Sequence, residues 1–130
     1  MLKSTRFAVC VALVALFTGA TAAWGHHASV AEFNMDQKVT LTGVISKVDW
    51  VNPHVYLHLD VKDDKGNVTT WALESLPTRF FHAMGLTQEM LGEGKVVTVV
   101  ANPAKIQGKA LGWVVKITYP DGHTYDFSGH

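Results

Sequence analysis

The chain has 130 residues, room for one domain and not two. Hydrophobic residues make up 48%, and 11 Lys/Arg balance 11 Asp/Glu. That balance argues against a nucleic-acid partner, because a protein that neutralises many phosphates carries a Lys/Arg excess.

Lys3 and Arg6 precede an uncharged run over residues 7–20, and small residues follow at Gly19, Ala20, Ala22 and Ala23. A basic start, an apolar middle and a small-residue zone predict a secretory signal peptide over residues 1–25. The competing reading is a membrane anchor, for which the run is short of the ~20 residues of a spanning helix. Export places the mature chain, residues 26–130, in the periplasm or outside the cell, with no stable membrane anchor after cleavage. Cys10 lies in the leader, so the mature domain has no disulfide and depends on its core. Losing Lys3 and Arg6 takes the 11 basic residues to 9 against 11 acidic ones, while all 7 histidines survive.

Cleavage fits after Ala22, Ala23 or Gly25. After Ala23 the new terminus is Trp24-Gly25-His26, whose amine and imidazole can wrap Cu(II) in nitrogens. After Gly25 it is His26 itself, which can chelate copper through amine and ring together. The plainer alternative is that His26 and His27 lie in a loose terminus.

Residues 29–33 read as a short extended arm anchored by Phe33, and residues 34–37 as a turn. Residues 38–48 form the first long strand, in which the alternation Val39, Leu41, Gly43 shifts to Val44 and predicts a bulge or bend at the glycine. Residues 49–62 form the second strand. Val51, Pro53, Val55, Leu57, Leu59 and Val61 take one face; Trp50, Asn52, His54, Tyr56, His58 and Asp60 take the other. Asp63-Asp64-Lys65-Gly66-Asn67 is a hairpin turn into a third strand, Val68–Glu74.

Pro77 opens a helical stretch over residues 77–84 with an apolar stripe of Phe80, Phe81 and Met84, closed by Gly85. Thr87 caps a second short turn, Gln88–Leu91. Residues 95–101 and 111–119 are the fourth and fifth strands, the latter with Leu111, Trp113, Val115, Ile117 and Tyr119 on one face. Residues 123–127 return as a short strand. Three strands, a helical segment and two more strands predict a mainly β, five-stranded OB-fold-like antiparallel barrel, with a generic five-stranded α+β roll as the alternative.

Several short motifs recur together: His26-His27-Ala28 after the leader, Leu41-Thr42-Gly43, Trp50-Val51-Asn52-Pro53-His54, and Gly94-Lys95-Val96-Val97-Thr98-Val99. They resemble a family of small exported bacterial proteins of unknown function, which shows His-His-Ser, Leu-Thr-Gly, Trp-x-Asn-Pro-His and Gly-Asp-x-Val-Thr-Val. The chain departs at Ala28 and Lys95, and neither departure touches a histidine. The resemblance implies export and a barrel, and no activity.

His54 and His58 lie four strand residues apart, ~13 Å at ~3.3 Å per residue, so they cannot share one ion from a straight strand. A metal site therefore needs a second segment. His26, His27 and His54 make a nitrogen-rich candidate set suited to copper or another transition metal. Asn52, Tyr56 and Glu74 are placed to support it, with Trp50 and His58 on the same face. The alternative for His54 is a structural hydrogen bond in a turn. Trp50, Tyr56 and His58 also suggest a face for a small molecule or another envelope protein. Enzyme signals are weak: Ser46, Ser75 and Ser128 lack a nucleophile elbow, and no Gly-rich phosphate loop is present. The expectation is an exported binding protein, not an enzyme.

Overall fold

The computed structural model describes residues 28–130; the proposed leader, His26 and His27 lie outside the described residues. Residues 28–32 are helical, where the sequence suggested an extended arm. From Phe33 onward the chain forms one compact unit of six strands and two short helices. The strands are β1 (Val39–Asp49), β2 (Tyr56–Lys62), β3 (Val68–Glu74), β4 (Val96–Pro103), β5 (Leu111–Thr118) and β6 (Thr124–Asp126). The helices, α1 (Thr78–Ala83) and α2 (Gln88–Leu91), lie between β3 and β4.

The sheet order is β3-β2-β1-β4-β5-β6, and β3 also pairs with β5. Five strands thus close into a barrel, and β6 extends it as a hairpin on β5. The predicted element order stands, with one amendment: the β3–β5 pairing is parallel. This seam rests on three residue pairs, Ala72↔Leu111, Leu73↔Gly112 and Glu74↔Trp113. Closure removes the exposed edges that an open five-stranded sheet would leave.

β1 is long because it serves two partners. Its first half pairs with β4 and its second with β2, with Val44 in both ladders. The bulge lies between Ile45 and Lys47, not at Gly43. Gly43 keeps its phase for another reason: a β-carbon there would run into the backbone carbonyl of Asp60. The extra residue at the bulge lets Ile45 and Val48 both face inward, three positions apart.

Leu57, Leu59, Leu73, Val97, Val99, Val114 and Ile117 fill the barrel, and Phe81, Leu86 and Leu91 of the helical segment join them. This agrees with the period-two reading of β2 and β4. β5 departs from its predicted face. A register shift against β4 at Val100/Ala101 turns Gly112, Val114 and Ile117 inward, leaving Leu111 exposed and Trp113 on the outer side. The buried amide of Asn102 donates to the carbonyls of Met35 (3.2 Å) and Gln37 (2.7 Å), tying the entering turn to β4.

Thr87 caps α2 by accepting from Met90 N at 3.2 Å, as the sequence predicted. Tyr119 Oη donates to the carbonyls of Met90 (3.4 Å) and Leu91 (3.3 Å), fastening the end of α2 to the end of β5. Burial holds the Tyr119 phenol in its neutral form, pushing its pKa from 10.0 up to about 12. The unfolded chain therefore loses this proton first as pH rises. The contribution is complete below pH 10 and disappears as pH climbs through about 12. Urea unfolding at pH 9 and pH 11.5 should show a loss of stability that is smaller in Tyr119→Phe; an equal loss in both proteins would contradict the assignment.

Candidate functional site

The second strand begins later than its alternation suggests. Residues 50–55 form a loop between β1 and β2, and the strand starts at Tyr56. Val51 and Pro53 are exposed, against the apolar face proposed for them, while Val55 is buried. Pro53, which has no N–H to give a ladder, follows a cis peptide after Asn52. Val55 resumes pairing: its N–H donates to Leu76 O (3.1 Å), and Ser75 N–H donates to Val55 O (2.9 Å).

The loop is fastened at three places. The Trp50 ring lies edge-on against Phe81, with centroids 5.3 Å apart, and against His82 at 5.5 Å. Asn52 Oδ1 accepts from Thr78 Oγ1 at 3.1 Å, joining the loop to the start of α1. His54 Nδ1 is hydrogen-bonded to Glu74 Oε1, and its ring stands perpendicular to Trp113 with centroids 5.5 Å apart. Trp50 is half-buried and packs on both of these rings of α1.

His54 and Glu74 side chains are 19% and 14% exposed, so each is largely withdrawn from water. An ionised carboxylate only accepts, so the neutral imidazole must carry its proton on Nδ1 to make this bond. The second ring nitrogen, Nε2, then presents a lone pair and has no hydrogen-bond partner among the described residues. Glu74 and Trp113 are directly paired across the barrel seam, so His54 touches both strands at its last rung.

His58 belongs to a different cluster. Its Nε2 lies 2.7 Å from Asp49 Oδ2, and Lys47 Nζ lies 2.7 Å from Asp49 Oδ1. Lys47 first, and then His58, hold the Asp49 carboxyl below the usual carboxylate range. Tyr56 sits between the clusters, paired with Asp49 on one side and Glu74 on the other. The two histidines thus engage separate carboxylates, as their separation along the chain implied. Among the described residues, no three His, Cys, Asp or Glu side chains form a group able to hold a metal ion.

Sequence reasoning offered Glu74 as a carboxylate for the His54 site, not as the partner of its ring, and missed Trp113. The register shift in β5, which places that indole on the outer side, leaves no mark in the hydrophobic pattern. Phe33 packs on the same indole, with centroids 6.0 Å apart. The anchor expected at Phe33 therefore ends next to the site.

Removing the imidazole would leave the Glu74 carboxylate largely buried without its partner. His54→Ala should cost ~1–3 kcal/mol of stability, measured as a lower urea midpoint with an unchanged slope. An unchanged midpoint would show that the bond carries no load.

Comparison with curated proteins and with solved structures gives no match. The model of a family of unknown function, DUF6152, matches residues 13–115, which include the Trp-Val-Asn-Pro-His loop and both sides of the seam. The chain belongs to this family of unknown function, DUF6152.

Proposed function

We propose that this chain is an exported protein of the periplasm or cell exterior that binds a transition metal, with copper as the favoured ion and His26, His27 and His54 as ligands. The carrying observation is the state of His54: Nδ1 is committed to Glu74, and Nε2 has no partner among the described residues. A carboxylate on the far nitrogen is the usual support of a metal-binding histidine, because it sets the tautomer and the ring orientation. The described residues offer one such ligand and no complete set, so further ligands must come from outside them. His26 and His27 are the histidines there.

Chain length permits the meeting. Five residues, 28–32, separate His27 from Phe33, and as a helix they place the two about 9 Å apart along the chain. Phe33 and His54 both contact Trp113, at 6.0 and 5.5 Å between ring centroids. The reading that uses Trp50, Tyr56 and His58 to hold a small molecule or an envelope protein is less favoured. Trp50 is spent on Phe81, and His58 on Asp49.

The test is isothermal titration of Cu(II) into protein purified after export, with its N-terminus sequenced. The proposal predicts one ion per chain. His54→Ala should abolish binding, and Glu74→Gln should weaken it ~10–100-fold, as loss of an outer partner does. Absence of binding at micromolar free copper, or full binding by His54→Ala, would refute it.

A further inference from the structure

We propose that the cleft between α2 and the β5–β6 hairpin binds a small zwitterion carrying an N-methylated ammonium and an acidic group, the chemistry shared by glycine betaine and phosphocholine. Every residue of the cleft lies in the unit Phe33–His130, and the proposal is independent of the metal reading.

The cleft has a volume of about 180 Å³ and is lined by Met90, Lys95, Tyr119, Asp121, His123 and Tyr125. Strand pairing brings its three rings together. Ile117 is buried in the core and is paired with Tyr125, so the Tyr125 side chain lies on the core side of the hairpin. Tyr119 and His123 stand two residues nearer the turn on each strand, on that same side. They close the hairpin: Tyr119 N–H donates to His123 O at 2.8 Å, and Gly122 N–H donates to Tyr119 O at 2.9 Å. Thr118 and Thr124 take the opposite side, where the Thr124 hydroxyl donates to that of Thr118 at 3.2 Å.

The rings form a corner rather than a platform. Tyr125 meets Tyr119 at 84° and His123 at 70°, with centroids 6.1 and 4.7 Å apart. A flat ligand stacks on parallel faces, whereas walls set this steeply suit a compact, rounded group. Ring quadrupoles attract cations, and aromatic corners are the means by which methylated ammonium groups are recognised. The exposed Met90 adds a polarisable thioether to the wall. The corner is also preset. Tyr119 Oη donates to Leu91 O at 3.3 Å, which pins its ring to the end of α2, so little ordering accompanies binding.

The polar groups select the kind of cation. A primary ammonium needs several acceptors, and the cleft has few to spare. Met90 O already accepts from Tyr119 Oη (3.4 Å) and Lys95 Nζ (3.2 Å), and Asp121 Oδ1 accepts from His123 N–H (2.9 Å). A methylated ammonium needs none, and the Asp121 carboxylate at the hairpin turn supplies its countercharge. Lys95 marks the other end of the ligand. Its ammonium lies 6.0 Å from the Tyr119 centroid, and beyond the bond to Met90 O it keeps further N–H donors for an acidic group. One fixed cation and one fixed anion in a single small cleft match a ligand that carries both charges.

NMR titration of the full chain with glycine betaine, phosphocholine, choline and dimethylbutanol, the uncharged carbon analogue of choline, tests the site. Betaine or phosphocholine should shift the ring signals of Tyr119, His123 and Tyr125 along one saturable millimolar curve, and the tighter of the two identifies the acidic group. Dimethylbutanol should bind at least fivefold more weakly than choline, the share that a cation–π contact contributes at an open site. Tyr125→Leu should weaken the zwitterion about fivefold. Lys95→Gln should weaken the zwitterion and leave choline unchanged. Equal binding of choline and dimethylbutanol, or no saturation by about 100 mM zwitterion, overturns the proposal. Should Tyr125→Leu fail to fold, the comparison of charged and uncharged ligands on the unaltered chain decides the matter alone.

Discussion

The contact on which the rest depends is one imidazole held across the closing seam of a small barrel. His54 reaches Glu74 on β3 and Trp113 on β5 from a loop that belongs to neither strand. A five-stranded barrel must close on itself to bury its core, and here the closing ladder has three rungs. Cys10 is the one cysteine in the sequence, so no disulfide within the chain can reinforce that ladder. The loop that carries His54 meets the need by fastening to α1, to the segment after β3 and to the seam itself. The same geometry that braces the seam also sets the tautomer of the ring, so structural and ligand roles for His54 are compatible.

The two histidine–carboxylate pairs show how environment separates similar chemistry. His58 and Asp49 are half-buried beside the exposed Lys47, so water screens their pair more than it does the pair at the seam. His54 and Glu74 are largely withdrawn from solvent and backed by an indole, so removing either one leaves a costly orphan. Both pairs flank Tyr56 on one outer row of the barrel. Only the pair at the seam is joined to the closure of the fold.

Much of the barrel was readable from period-two alternation, because Leu57, Leu59, Val97 and Val99 face one core and have no reason to break phase. The helical segment was readable from Pro77, Thr87 and their flanking glycines. Failures occurred where a ladder slips. The bulge after Ile45 and the shift at Val100/Ala101 move side chains between faces, and the residues involved look no different from their neighbours. The loop 50–55 deceived for a different reason: Val51, Pro53 and Val55 mimic a strand face, although Val51 and Pro53 are exposed. Glu74 was anticipated as a carboxylate near the His54 site, though not as the partner of the His54 ring. Trp113 was not, because its position depends on the parallel seam, and parallel register is not written in either strand alone.

The central claim is that Glu74 commits the Nδ1 proton of His54 and leaves Nε2 as the bare nitrogen of the ring. Long-range proton–nitrogen NMR of the metal-free protein reads this directly, since protonated and bare ring nitrogens have widely separated shifts. The account predicts the Nδ1–H tautomer for the neutral ring of His54, changing to an even mixture or to Nε2–H in Glu74→Gln. An Nε2–H tautomer in the unaltered protein would contradict it, because that ring could neither donate to Glu74 nor offer Nε2 to a metal.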